Sequence, residues 1–335
     1  MSNKTNFHNL QSLLIVIVNY RTPTLVIDCL ASLQNELEIG RDSVVVVDNA
    51  SNDYSVKKIK KALKDNSWQS WVKIVESHIN GGFAHGNNQA IRPAIKSSNP
   101  PSYILLLNPD TIIRQGALKK LVEFMEENPQ AGIAGSRLEN PDGSAQCSAF
   151  RFPTIISELD AGLRLGVVSK LLSSSIVAPP VSENICQTDW VAGASMIVRS
   201  EVFEQAGLID ESYFLYYEEV DFCLQAQKAG WSCWYVPESK VVHFVGQSSG
   251  IDSSHEQKKR MPKYWFESRR RYFVKNYGWF YAVITDLVWS FCYILWHFRR
   301  ILQNKSSNDP PNLFLDFVRN SSYYKFEKLK PPKTS

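Results

Sequence analysis

Along the first 135 residues, short runs of apolar, mostly β-branched residues alternate with longer stretches whose apolar positions recur every three or four residues. The runs at 13–18, 44–47, 72–76, 103–107 and 132–136 read as strands, and the stretches at 23–34, 54–66, 84–96 and 116–127 read as helices. Strands that are apolar throughout need cover on both faces. The alternation therefore predicts βα units feeding a mainly parallel central sheet flanked by helices.

Polar residues cluster just beyond three strand ends: Asn19-Tyr20-Arg21, Asp48-Asn49-Ala50-Ser51 and Asn108-Pro109-Asp110. Capping and turn chemistry would explain any one of these. Three of them, at the end of the sheet where open α/β folds bind ligands, predict a shared crevice. The first strand runs into Asn19-Tyr20-Arg21-Thr22-Pro23 without a glycine, and there is no Walker sequence, which removes support for hydride transfer on a dinucleotide fingerprint and for P-loop phosphoryl transfer.

Residues 137–188 are less regular, with Pro-Asp-Gly at 141–143, three serines at 173–175 and Pro179-Pro180, and read as a long excursion over one side of the crevice. Regular structure resumes at 189–199. A helix from Glu218 to Gly230 and strands at 232–236 and 241–244 follow. Beyond residue 255 come a basic, aromatic helix at 261–276 and a nearly unbroken apolar stretch at 279–298, interrupted by Thr285, Asp286, Ser290 and His297.

A length of 335 residues suits about two domains, and 44% hydrophobic with 21% charged residues is the composition of a folded protein. The net charge of +4 hides an asymmetry: residues 256–305 hold 11 Lys/Arg against 3 Asp/Glu, so the remaining body is slightly acidic. The apolar stretch could just span a bilayer, but a central Asp opposes insertion by about 2.5–3.5 kcal/mol. Lying in the headgroup interface, with Arg269–Arg271 and Arg299-Arg300 on anionic lipid, is the expected arrangement; a core or dimer helix pair is the alternative. The aromatics are too continuous to form stacking platforms for nucleic acid, so no nucleic-acid partner is expected. Six scattered cysteines without a CxxC pair read as reduced thiols, and the N-terminal apolar run is too short for a signal sequence.

Four segments stand out: Val47-Asp48-Asn49-Ala50-Ser51-Asn52-Asp53, Asn80-Gly81-Gly82 through Asn87-Asn88, Leu107-Asn108-Pro109-Asp110, and Phe214-Leu215-Tyr216-Tyr217-Glu218-Glu219-Val220-Asp221. In this order and spacing they resemble the nucleotide-sugar-dependent glycosyltransferases of family 2, above all the rhamnosyltransferase-like branch, over about residues 14–246. The segment from Tyr264 to Gly278 is similar to that branch's Tyr-rich stretch. The resemblance implies a GT-A fold of α/β class over residues 1–255, with a donor half at about 10–136 and an acceptor half at about 137–255, followed by a helical, membrane-associating extension over 256–335. It implies inverting transfer of a sugar, rhamnose among the candidates, from a dTDP- or UDP-sugar to a glycan or lipid-linked acceptor. It also implies a divalent cation (Mn²⁺ or Mg²⁺) and a cytoplasmic enzyme at the inner face of the membrane.

The residues fit such chemistry. A departing diphosphate calls for a hard cation, and Asp110 is the best-placed oxygen ligand. The resemblance makes Asn108-Pro-Asp110 the DxD element with Asn in its first position, and makes His243 a late metal ligand. Asp48 and Asn49 are expected to contact the nucleotide, with Asn19 and Arg21 lining the same pocket. Gly81-Gly82 would admit close backbone approach, and Asn87 and Asn88 would supply amides. The attacking hydroxyl must lose a proton. The resemblance gives that role to Glu219, where Asp is usual, with Asp221 as a fallback; Glu218 shares the same first helical turn. Gly193-Ala-Ser-Met196 would leave room for sugar, and Trp190 and Tyr216-Tyr217 are candidates for stacking. The departures at Asn108 and Glu219 keep open an alternative, a catalytically inactive nucleotide-sugar-binding scaffold of a membrane glycan-assembly complex.

Overall fold

A computed structural model describes residues 12–246, 259–307 and 309–325; the expected boundary at 255/256 and the end of the polar tail lie outside these. The first half alternates as its hydrophobic pattern predicts: β1 (Leu13–Asn19), α1 (Pro23–Leu33), β2 (Ser43–Asp48), α2 (Ser55–Asp65), β3 (Val72–Glu76), α3 (Gly82–Ile95) and β4 (Tyr103–Leu107). A short β5 (Thr111–Ile113) follows, then α4 (Ala117–Glu127) and β6 (Ala131–Glu139). The excursion holds β7 (Ala149–Phe150), α5 (Ile155–Leu163), α6 (Gly166–Leu171), β8 (Cys186–Thr188) and β9 (Trp190–Val191). After it come β10 (Ser195–Arg199), α7 (Ser200–Gln205), α8 (Glu218–Lys228), β11 (Ser232–His243), α9 (Lys263–Tyr277), α10 (Trp279–Leu302) and α11 (Leu313–Asn320).

The central sheet runs β3-β2-β1-β4-β10-β6-β11-β5, with β8 on the flank of β11. Its first four strands in order, β3-β2-β1-β4, are parallel as expected. Beyond β4 the sheet is mixed, because β10 enters antiparallel between β4 and β6 after the long excursion has carried the chain to the opposite end. The strand expected in two pieces is one, β11, with a register shift between Val236 and Lys240 where Pro237 cannot donate to the ladder. Side chains of β1 alternate between two cores: Ile15 and Ile17 pack with Leu30, Ile59 and Leu121, while Leu14 and Val16 pack with Ile91, Val191 and Phe222.

The region expected to be irregular contains a capped helix. Thr154 accepts from the Ser157 backbone N–H while the Ser157 hydroxyl receives the Thr154 N–H, a capping box built with Ser in place of the usual Glu or Gln. This α5 packs along α10. The seam is closed by Arg269 of α9, which reaches Glu158 of α5 at 2.8 Å and Asp286 of α10, all three buried. Asp286 also accepts the backbone N–H of Ser322 at 2.6 Å. Asp286, which interrupts an apolar stretch in sequence, therefore points into the protein.

Candidate active site

Parallel register sets Asn19 beside Asp48 at the carboxyl edge of the sheet. Their side chains build the loop. The Asn19 amide donates to Asp48 at 2.6 Å and to the Ser51 hydroxyl at 3.2 Å, while its carbonyl receives the Thr22 N–H. Asp48 accepts in addition from the Ser51 hydroxyl and backbone N–H at 2.6 and 3.0 Å. Both residues are buried, and these bonds shape the turn at this edge. Arg21 stays at the exposed rim: its backbone and Nε bond to Ser51, and its guanidinium lies 5.1 Å from the Tyr20 ring. Asn49 is buried, and its amide donates to Asn80 and to the Gly82 carbonyl, both at 3.0 Å.

At Gly82 φ is +88°, and another segment of the chain comes close: an added Cβ would sit 1.8 Å from the Phe214 carbonyl oxygen. That same oxygen receives the Phe83 N–H at 3.0 Å. The glycine thus docks the loop that leads into the Glu218-Glu219 turn onto the start of α3. Gly143 has a similar φ of +85° with nothing near its missing Cβ, so it isolates the cost of conformation alone. Gly82→Ala is expected to lose at least about 2 kcal/mol in urea unfolding and clearly more than Gly143→Ala. Equal losses would remove the docking argument.

The Asn88 amide holds the Ile209 carbonyl at 2.8 Å and Glu211 at 2.9 Å; Asn87 donates to the Phe83 carbonyl. Trp190 stacks on Phe150 with ring centroids 4.2 Å apart and donates to the Arg151 carbonyl, which makes it a packing residue. Asp221 is buried and bound by Lys275 at 2.6 Å and Asn276 at 2.7 Å, both on α9. It fastens α9 to α8, and as the fallback base it is already committed to these partners.

Asp110 and His243 come together. Asp110 follows β4, His243 ends β11, and Oδ1 of the first lies 3.6 Å from Nε2 of the second. Gln146, which the sequence reading missed, sets the ring: its amide nitrogen donates to Asn140 and to the His243 carbonyl, so its oxygen accepts from Nδ1 at 3.2 Å. That tautomer leaves the Nε2 lone pair facing the carboxylate. Burial lowers the His243 pKa against the pull of Asp110, favouring the neutral ring. Two lone-pair atoms, hard oxygen and imidazole nitrogen, held face to face suit a shared divalent cation. Among the described residues no third His, Cys, Asp or Glu joins them, so other ligands would have to come from a substrate or water. The half-buried Asn108 sits two residues before Asp110, and its backbone N–H donates to the Ala194 carbonyl.

Glu218 and Glu219 open α8 behind two residues in left-handed conformation, Tyr216 (φ 68°) and Tyr217 (φ 67°). Neither is a glycine, and such paired strain is stored where geometry is demanded. Glu219 lies beside Gly193, whose Cβ position is 4.0 Å from its own, and Gly193 adjoins the Ala194 that bonds Asn108. The Glu and Asp110 elements therefore meet at one edge. Burial pushes the Glu219 carboxyl up to about 7, and burial together with the Glu219 charge holds Glu218 well above the usual carboxylate range. One Oε of each has no hydrogen-bond partner among the described residues. Tyr216 stacks on Tyr264 of α9, and burial with these neighbours raises its phenol to about 12. Tyr217 packs against Trp265 and Tyr272 instead.

Residues 14–165 match glycosyl transferase family 2, and residues 103–306, more than half the chain, match glycosyl transferase family group 2. The chain belongs to glycosyl transferase family 2. It is a nucleotide-sugar-dependent glycosyltransferase of the rhamnosyltransferase-like branch. It is 28% identical over 221 residues to an N-acetylglucosaminyl-diphospho-decaprenol L-rhamnosyltransferase of Mycobacterium tuberculosis, covering 64% of this chain and 70% of that one. Rhamnosyltransferase WbbL of Escherichia coli is 27% identical over 225 residues, covering 60% and 83%. The mannosyltransferase PcManGT of Pyrobaculum calidifontis, solved with GDP-Man and Mn²⁺, superposes with a TM-score of 0.56 at 13% identity, covering 94% of this chain and 82% of that one, a likeness of GT-A fold.

Proposed function

We propose that this glycosyltransferase moves rhamnose from dTDP-rhamnose onto a glycan or lipid-linked acceptor with inversion, with Glu219 as the general base. The observation that carries this reading is the half-buried Glu219 carboxyl beside Gly193, raised to about 7 by burial, at the same edge as Asp110. A base poised near neutral pH takes the acceptor hydroxyl proton as that oxygen bonds to the anomeric carbon. The bond from that carbon to the diphosphate breaks, and the diphosphate leaves with its electron pair. Arg21 with Tyr20 at the rim meets the nucleotide, while the missing side chain of Gly193 makes room for the Phe83 ring beside Glu219. Asn49 is a second contact: its carbonyl oxygen, buried and without a hydrogen-bond partner among the described residues, awaits a donor.

Asp110 and His243 are the residues to hold Mn²⁺ or Mg²⁺, with Gln146 orienting the ring. Such a cation, when bound, neutralises charge on the diphosphate. The rhamnosyl donor is argued from the two rhamnosyltransferase relatives. The raised Glu219 carboxyl favours an active enzyme over an inactive scaffold, which has no use for a costly buried acid. We further propose a catalytic body to about residue 255, an extension at 256–335 that brings the enzyme to a membrane surface, and a position on the cytoplasmic side, where nucleotide sugars are made.

Calorimetric titration with dTDP-rhamnose, UDP-sugars and Mn²⁺ tests the reading. Binding is expected with Mn²⁺ and lost in chelator. Asp110→Asn is expected to lower transfer by about 100-fold or more. Undiminished transfer in the variant, or binding indifferent to the metal, would remove Asp110 from the site.

A further inference from the structure

The outward side of α10 has no cover among the described residues. Phe280, Leu287, Phe291, Ile294, Phe298 and Leu302 are all more than half exposed. Their spacing of three, four and seven keeps them on one stripe along a helix of 24 residues, about 36 Å long. On its other side α10 packs along α5, so the stripe is the part of the helix left uncovered, and six large apolar side chains in line are more than isolated surface hydrophobics account for.

Charge identifies what covers it. The carboxyl end of α10 carries Arg299 and Arg300, and Lys305 follows. Nearby acids are already engaged: Asp309 pairs with Arg164 at 2.7 Å and Asp160 accepts from Ser169. Arg164 and Arg300 also lie over the Trp296 ring, at 4.2 and 5.7 Å, an amphipathic edge suited to a headgroup layer.

We propose that α10 forms a built-in docking face for an anionic lipid bilayer, lying in the membrane plane and never crossing it. This rests on the proposed membrane association and fixes its geometry. A crossing helix would have to free Asp286 from Arg269 and Ser322 and expose Thr285 and Ser290 to hydrocarbon. In-plane docking keeps every one of those bonds and buries only the stripe. The face belongs to the acceptor side, since α9 joins α10 to the Glu219 turn through Tyr264 and Asn276. A carrier-linked acceptor held in the same bilayer would arrive beside the base.

Cosedimentation of the full chain with phosphatidylcholine vesicles, with and without phosphatidylglycerol, tests this. Binding is expected only with the anionic lipid, to fall with salt, to be released by an alkaline carbonate wash, and to weaken by about tenfold or more in Phe291→Glu/Phe298→Glu. Arg300→Ser/Lys305→Ser is expected to erase the preference for anionic lipid. Transfer to a short water-soluble acceptor stays unchanged in both variants, so loss of docking is distinguished from failure of the catalytic reading. Retention after carbonate would mean a spanning helix. A stable dimer in light scattering that Phe291→Glu/Phe298→Glu dissociates would mean a second copy covers the stripe. Either result, or no vesicle binding at all, overturns the proposal.

Discussion

Glu219→Gln is expected to abolish sugar transfer, lowering kcat by about 10²–10⁴-fold, while leaving nucleotide-sugar binding within a few-fold of the parent. The amide fills nearly the same space and cannot accept the proton. The pH dependence follows from the carboxyl held up to about 7 by burial. Transfer should rise as pH passes upward through about 7, because only the ionised form acts as base. Stability should move the other way. Between the ordinary carboxylate range and about 7 the folded chain keeps a proton the unfolded chain has lost, so stability falls as pH rises through that window and the full cost is present above it. Gln carries no such cost. Urea unfolding should find Glu219→Gln more stable by about 1–3 kcal/mol at pH 8 and no different at pH 4. A variant that transfers sugar normally, or that is less stable at pH 8, would end the assignment of Glu219 as base.

The alternating elements of the first 127 residues were legible because local pattern and tertiary context agree there. The expected ends of β3 and β4 coincide with the observed ones, and α1, α2 and α4 differ by a residue or so, since an apolar run can only be buried when helices cover both faces. The site was legible as a set of positions and less so as a set of contacts. Asp110, His243 and the Glu218-Glu219 turn meet at one edge, yet Asn19, Asp48 and Asn88 spend their hydrogen bonds on loops. Sequence gives no direction for a side chain, and Asn or Asp at a strand end serves a turn as readily as a ligand. Gly82 shows the limit most clearly: its flexibility is needed for the Phe214 carbonyl, 132 residues further along the chain. Gln146 carried no signal in sequence, because its value lies wholly in which atom of His243 it touches. The polar interruption in α10 misled in the same way, since Asp286 needs Glu158 and Arg269, distant in sequence, to be understood.

That trio supports the second large effect. Arg269→Ala is expected to destabilise the chain by about 3–5 kcal/mol, the cost of leaving Glu158 and Asp286 buried without their shared cation. The loss should shrink as pH falls, because protonating the stranded carboxylates relieves the penalty. Combining Arg269→Met with Glu158→Gln and Asp286→Asn should cost less than Arg269→Ala alone, since no charge is then abandoned in the interior. The consequence reaches the candidate site. The same α9 that carries Arg269 also supplies Lys275 and Asn276 to Asp221, and Tyr264 to Tyr216. Loosening the seam should therefore lower kcat in folded Arg269→Ala at temperatures below its unfolding, through a misplaced Glu219 turn. Urea titrations at pH 5 and 8, with single-turnover transfer on the same samples, separate the two effects. A cost below about 1 kcal/mol at pH 8 would mean that the extension is an appendage, and that the catalytic turn is held by the body alone.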